Sequence, residues 1–447
     1  MNNMKPLIVL LLLAALSLNA EAQIQRCSVC KKSLSNCPYK GKHPAAKQTT
    51  KSTTRPSGSS GKAKSSSSSS GSRASQDSSA SQTMTPQEMF SRAVNLFYGR
   101  NGVAQDKAEA IDLFRKAADK GHAYSMNWLG YCYQYGDGVT QDYAEAYSWY
   151  RKSADQGYDE AEYNVGQCYY YGRGVTSDKA EAVSWFRKAA DKGHNSAQNR
   201  LGFCYQYGYG VTQSYAEAVS WYKKSAEKGY DEAEFNMGLC YYYGRGVTAD
   251  NAEAASWFSK AAEKGHASAQ NWLGYCYQYG YGVTQNYAEA VSWYRKAADQ
   301  ANSSAQYNLG YCYYMGYSVT KDYTEAVAWF RKAANGGDDS AQNRLGLCYY
   351  QGEGVDKDYT QAIQWFRKAA DQGHVSAQFN VGECYFYGNG TTKDYAQAVV
   401  WYTKAANQGN ISAMNRLGYC YENGLGVEQN TRESKEWYKQ AKLAGQK

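Results

Sequence analysis

Between Gly265 and Gln300 the apolar residues fall at helical spacing twice over. Leu273, Cys276 and Tyr277 stand at i, i+3 and i+4, and Ala290, Trp293, Tyr294 and Ala297 repeat that spacing further on. Two stripes of this kind predict two amphipathic helices. The first, helix A, is expected at about Ser268–Tyr279. Gly280-Tyr281-Gly282-Val283 then breaks it, because glycine enters left-handed turns freely, and the valine can fold back onto the core. Asn286-x-x-Glu289 is a capping box that opens helix B. A second glycine turn leads into the next unit.

The same 36-residue pattern recurs along most of the chain. Gly265–Gln300 matches Gly193–Lys228 at 28 of 36 positions, whereas Gly193–Lys228 matches its immediate successor, Gly229–Lys264, at only 19. Gly229–Lys264 in turn matches Gly157–Lys192 at 28 of 36, so the middle of the array is built from alternating pairs. A fixed period of this length is the mark of a solenoid. Thr85-Pro86-Gln87-Glu88, a capping box with proline at the first helical position, starts the array. Ten helix B caps follow: Asp106, Asp142, Asp178, Ser214, Asp250, Asn286, Asp322, Asp358, Asp394 and Asn430. Glycine follows the helix A leucine slot in nine of ten units, as Gly274 does, which predicts close helix–helix approach. The first unit, with Ala93 in that slot and no cysteine, and the charged last stretch Asn430–Lys447 read as caps.

Charge divides the chain. Residues 1–83 carry 12 Lys/Arg and two acids, net +10, and residues 84–447 carry 37 Lys/Arg and 39 acids, net −2. The overall +8 is therefore no sign of a nucleic-acid surface on the array, since binding the phosphate backbone needs a basic face. Residues 1–22 read as a signal peptide, with Lys5, an apolar run Leu7–Leu18 and the small–x–small site Ala20-Glu21-Ala22. The expected mature start is Gln23, and the expected location is secreted or periplasmic. No later stretch is apolar enough for an integral membrane protein. Residues 23–45 hold Cys27, Cys30, Cys37 and His43, a thiol and imidazole set that suits tetrahedral Zn²⁺. An oxidising compartment favours a disulfide and a spare thiol instead, and these two readings stay open beside a segment with no defined site. No cofactor is implied elsewhere. Residues 46–83, with six consecutive serines at Ser65–Ser70, read as a disordered cationic linker.

Nine further cysteines, Cys132 through Cys420, lie 36 apart. Neighbouring packed helices are about 8–10 Å apart, and a disulfide needs Cα atoms within about 7 Å. These thiols are expected to be small buried hydrophobes. His122, His194, His266 and His374 each follow a glycine at the turn into helix A. The same slot holds Tyr158, Tyr230, Asn302 and Asn410, which reads as helix-end packing rather than catalysis. No nucleophile–base–acid set, phosphate loop or carboxylate pair recurs at useful spacing, so the chain is not expected to be an enzyme.

The unit A-x-x-x-L-G-x-x-Y-x-x-G-x-G-V, at Ala269–Val283, followed by D-Y-A-E-A-x-x-W-Y, as at Asp142–Tyr150, resembles the Sel-1-like repeat family, a relative of the tetratricopeptide repeats. The resemblance runs from about Thr85 to Gly445. Period and resemblance together imply an all-α fold, a right-handed α-solenoid of ten 36-residue helix-turn-helix repeats over residues 84–447. The resemblance also implies a concave groove lined by A helices, and an adaptor role. Some secreted cysteine-rich bacterial members are associated with β-lactam binding or hydrolysis, which would make a β-lactamase-like enzyme. Those members carry two cysteines per repeat, and this chain carries one.

By the same resemblance two slots of helix A face the groove. One alternates Asn with an aromatic and includes Tyr163, Asn199, Phe235, Asn271 and Tyr307. The other includes Tyr135, Tyr171, Tyr207, Tyr243 and Tyr279. Tyrosine and asparagine there would supply rigid apolar area with polar handles, suited to an extended peptide or protein partner. Aromatics also stack on sugars, so an envelope glycan such as peptidoglycan is the alternative.

Overall fold

A helix leaves its first N–H groups without partners, and this chain places an acceptor side chain at almost every helix start. The structure, a computed structural model, describes residues 84–446. The signal peptide, the Cys/His segment and the linker read in residues 1–83 lie outside the described residues. All ten helix B caps form: Asn286 Oδ1 accepts from the N–H groups of Ala288 and Glu289 at 3.0 and 3.2 Å, and Ser214 Oγ accepts from Glu217 at 3.3 Å. Among the described helices the reciprocal half of the capping box forms at Thr85 alone, where Glu88 Oε2 accepts from the Thr85 N–H at 2.8 Å. In three B helices the glutamate instead accepts the indole N–H one turn on, whereas the buried Trp257 N–H has no partner among the described residues. Glu145 takes Trp149, Glu181 takes Trp185 and Glu325 takes Trp329, at 2.8–2.9 Å. An indole N–H withdrawn from water, as at the buried Trp149 and Trp185, needs an acceptor more than a solvated helix end does.

Twenty helices result, with no strand among the described residues. The described chain falls into two compact units, one ending at Ser177 and one beginning at Asp178. The first holds α1 (Pro86–Tyr98), α2 (Lys107–Asp119), α3 (Ala123–Tyr135), α4 (Tyr143–Ala154) and α5 (Asp159–Tyr171). The second opens with α6 (Lys179–Asp191), α7 (Asn195–Tyr207), α8 (Tyr215–Ala226), α9 (Asp231–Tyr243) and α10 (Asn251–Glu263). It continues through α11 (Ala267–Tyr279), α12 (Tyr287–Asp299), α13 (Ser303–Met315), α14 (Tyr323–Asn335) and α15 (Asp339–Gln351). It ends with α16 (Tyr359–Asp371), α17 (Val375–Tyr387), α18 (Tyr395–Asn407), α19 (Ile411–Asn423) and α20 (Thr431–Gly445). Odd helices are A and even helices are B. The spacing thus placed the start of α11 within one residue.

Within a pair, α11 and α12 meet through the ring of Tyr294, which is fully buried against Gly274. A Cβ on Gly274 would stand 2.8 Å from Tyr294 Cδ1, so the glycine is required by contact. At Ala93 of α1 the slot takes a methyl group instead, and Ala93 is fully buried. The loop glycine Gly282 has φ 72° and rests on the start of α10, where a Cβ would come 1.9 Å from the Asn251 carbonyl oxygen. Leu273, Cys276, Ala290 and Ala297 fill the core of the pair, and Trp293 is half-buried at its edge. On eight B helices a lysine three residues beyond the tryptophan lies over the indole face, from Lys152 over Trp149 at 4.0 Å to Lys404 over Trp401 at 3.8 Å. The contact covers the outer tryptophans with alkyl chain and cation.

The last helix is built to face water. Where α18 has buried Val399 and Ala406, α20 has Lys435 and Lys442, both exposed. No described helix is long and apolar enough to cross a membrane.

Candidate interaction surface

The two helix A slots singled out in the sequence have different surroundings. In the Asn/aromatic slot the amides pair between successive A helices. The Asn236 side-chain N–H donates to Asn199 Oδ1, Asn308 to Asn271 and Asn380 to Asn343, and in the first unit Asn164 donates to Asn127, each at 2.9 Å. An asparagine in one repeat thus needs an asparagine one slot later in the next. The intervening aromatics pack inward: Phe235 lies 5.9 Å from Phe258 and 4.8 Å from the His266 ring, and Tyr307 lies 5.7 Å from Phe330. Tyr163 is 7 % exposed, with its hydroxyl accepting from Gln167. Much of this slot's surface is spent on packing between repeats, and the alternation read in the sequence is the register of that packing.

The second slot lies at the C-terminal end of helix A and is open. Tyr279 is 49 % exposed, Tyr135 40 % and Tyr171 39 %, while Tyr207 and Tyr243 are half-buried. Loop residues lie against these rings. In the second unit Tyr209 stacks on Tyr207 at 5.8 Å and lies 5.9 Å from Phe203, and 72 residues on Tyr281 stacks on Tyr279 at 5.9 Å and lies 5.7 Å from Tyr275. Between them the loop carries Arg245, whose guanidinium lies 4.7 Å from the Tyr243 ring centre and 6.0 Å from that of Tyr215. Trp272 joins the cluster edge-on to Tyr242 and Tyr243 at 5.0 and 6.0 Å. In the first unit Arg173 stands over Tyr171 at 4.8 Å in the same way. Reading the slots one at a time missed the loop residues Tyr209, Arg245 and Tyr281. Their signal was the loop itself, which alternates Gly-Arg-Gly with Gly-Tyr-Gly over the four middle loops, from Gly172 to Gly282.

Burial sets the chemistry of this surface. It pushes the Tyr243 phenol up to about 12, so the hydroxyl stays protonated. The repeat thiols are buried at 0–3 % exposure. Burial lifts the thiols of Cys168, Cys240, Cys276, Cys312, Cys348 and Cys384 to about 12, and those of Cys204 and Cys420 to about 11. A thiol so shifted is not a nucleophile near neutral pH. Among the described residues no group of three His, Cys, Asp or Glu side chains is placed to hold a metal, and Cys27, Cys30, Cys37 and His43 lie outside them.

The histidines turn out to be helix caps, a role the packing reading did not foresee. His194, His266 and His374 Nδ1 accept from the N–H groups of Ala197, Ala269 and Ala377 at 3.0–3.1 Å, and His122 accepts from Ser125 at 3.3 Å. Asn302, Asp338 and Asn410 do the same with oxygen at 2.8–2.9 Å. Asparagine and aspartate at the shared slot were the legible clue, since both are preferred caps.

The comparisons with known proteins agree with this architecture. No curated protein sequence matches the chain. Among solved structures, a protective antigen present in uropathogenic Escherichia coli strains and displaying an SLR fold is 37% identical, with a TM-score of 0.67, over 81% of this chain and 78% of that one. A Sel1 repeat protein from Oxalobacter formigenes is 32% identical, with a TM-score of 0.54, over 75% of this chain and 94% of that one. The Sel1 repeat profile matches ten consecutive segments, from 89–122 through 267–302 to 411–446. With its twenty helices in ten pairs and a profile match to each pair, the chain belongs to the Sel1 repeat family.

Proposed function

We propose that this chain is a non-catalytic adaptor, secreted or periplasmic, that binds an extended segment of a protein partner on the tyrosine-rich ridge of its second unit. The observation that carries the reading is the pair of half-open stacks, Tyr207 with Tyr209 and Tyr279 with Tyr281. Rigid aromatic rings left at a surface are the residues that anchor protein interfaces, because they bring large contact area at little entropic cost. Sugar platforms pair an aromatic face with acidic or amide acceptors for ring hydroxyls. The ridge slots 207, 209, 243, 245, 279 and 281 contain tyrosine and arginine alone, which favours a peptide over a glycan. Buried, protonated thiols argue for an interaction role over covalent chemistry. We assign Cys27, Cys30, Cys37 and His43 to one Zn²⁺ ion in the reduced chain.

The test is capture from envelope extract on the mature chain, Gln23–Lys447, beside a Tyr279→Ala, Tyr281→Ala variant. A bound protein lost in the variant and retained in excess chitooligosaccharide supports the reading. Capture that the sugar abolishes transfers the function to glycan binding.

A further inference from the structure

The central ridge offers more than apolar area. Arg245 rests on the rings of Tyr243 and Tyr215 and reaches the field of Tyr207, while no carboxylate pairs with it among the described residues. An arginine on an A helix further along behaves differently: Arg416 is committed to Glu383 at 2.8 Å and to the Tyr387 hydroxyl at 2.8 Å. A guanidinium carried on aromatic rings is held in place with its N–H donors still to be satisfied. Its planar fork matches a carboxylate better than any other side chain's donors do. One repeat to either side, the equivalent loop residues are Tyr209 and Tyr281, each stacked on the helix A tyrosine of its own repeat. The Arg245 and Tyr281 sites are joined through rings in contact, since Tyr242 touches Tyr243 at 4.9 Å and Tyr281 at 6.1 Å.

Spacing then limits the ligand. Successive packed helices are about 10 Å apart, and an extended peptide advances about 3.3 Å per residue. Neighbouring loop sites are thus about three peptide residues apart. We infer that the Tyr209–Arg245–Tyr281 ridge recognises an extended acidic peptide, seating one Asp or Glu carboxylate on Arg245 and an apolar or aromatic side chain on each tyrosine stack three residues before and after it. The inference rests on the adaptor reading and names the partner's chemistry. One arginine between two aromatic stacks fits a single carboxylate rather than a polyanion, and the array's net −2 repels nucleic acid.

The experiment uses the mature chain and fluorescein-labelled peptides with the core Trp-Ser-Ser-Glu-Ser-Ser-Trp, followed by anisotropy. Control peptides replace Glu by Gln, or shift one Trp by one or two positions. The wild-type chain is expected to bind the Glu peptide about tenfold more tightly than the Gln peptide, and to weaken as salt rises. Arg245→Gln should equalise the two peptides, and Arg245→Lys should restore a partial preference. Tyr209→Ala with Tyr281→Ala should weaken both peptides alike and remove the dependence on Trp spacing. Circular dichroism confirms that each variant keeps its helices. Equal binding of Glu and Gln peptides by the wild-type chain, or an unchanged preference in Arg245→Gln, overturns the acidic-peptide assignment while leaving the adaptor reading intact. Failure to bind any of the peptides, together with tyrosine-dependent binding of chitooligosaccharide, overturns both.

Discussion

Small backbone requirements carry much of the residue-scale energetics. Gly274→Ala would improve helix propensity by about 1 kcal/mol, yet its methyl group meets Tyr294 at 2.8 Å. Overpacking against a ring that cannot retreat costs about 1–3 kcal/mol, so a net loss of stability in urea denaturation is expected. The turns into helix A supply a cleaner contrast. Gly265 has φ 91° with nothing near its missing Cβ, whereas the same turn one repeat on holds Ala301 at φ 61°. An alanine held left-handed costs about 1 kcal/mol. Ala301→Gly should raise the unfolding midpoint and Gly265→Ala should lower it, with a null result for both excluding backbone strain as the cause. The glycine signal was legible in the sequence because it repeats. Its exceptions, Ala301 and Ser318, were visible as substitutions but not as strain, since φ is a property of the turn.

Helix ends and helix pairs follow rules of their own. A histidine cap works only with Nδ1 unprotonated, and burial lowers the pKa of both His122 and His374, with Asp339 partly opposing the shift at His374. A depressed folded-state pKa contributes stability above the unfolded value of about 6.5, and that contribution is lost as pH falls through the folded value. His374→Asn keeps the acceptor and removes the titration. The variant should therefore overtake wild type as pH is lowered from 7.5 to 5, measured as the difference in thermal midpoint. Asp338, on the neighbouring A helix, acts in the opposite sense. Burial raises it to about 7, so its contribution is present at low pH and lost as pH rises through that value. Asp338→Asn should stabilise the chain at pH 8 and have little effect at pH 4. Between helices, Tyr294 donates to the buried Gln278 at 2.8 Å, as Tyr222 does to Gln206 at 3.0 Å. Where helix A carries Tyr314 or Tyr350 in that slot, helix B carries Phe330 or Phe366. Tyr294→Phe alone should cost about 1–2 kcal/mol by stranding the Gln278 oxygen. Pairing it with Gln278→Tyr should recover part of the loss, as a double-mutant cycle would read. The ten helix B caps were legible because capping is a local event. The pairings were not, because which slot meets which depends on how neighbouring helices pack.

At the scale of the whole molecule, the period and the two atypical ends were enough to give the family and fold. The ridge came out only in part. Tyr207, Tyr243 and Tyr279 were found from their slot, but Arg245 belongs to a loop whose contact with Tyr215 crosses from one repeat to the previous one. Periodicity says which residues are equivalent, and packing says which are neighbours. The end cap is a further whole-molecule feature. Removing residues 411–446 would uncover Val399 and Ala406, which α19 and α20 cover, without the lysines that make α20 soluble. Self-association by light scattering is expected for that truncation, and a monodisperse product would deny Lys435 and Lys442 a capping role.

The asparagine pairs also bear on how a chain of this kind can change length. Removing one 36-residue repeat, 229–264, would bring Asn199 opposite Trp272 in place of Asn236, and an amide would lose its partner. Removing two, 193–264, would leave every asparagine facing an asparagine. Gene rearrangements in whole double repeats would therefore keep every amide paired, while single-repeat events would strand one at a cost of about 1–3 kcal/mol. By this reasoning the heritable module of the array is 72 residues long, twice the structural one.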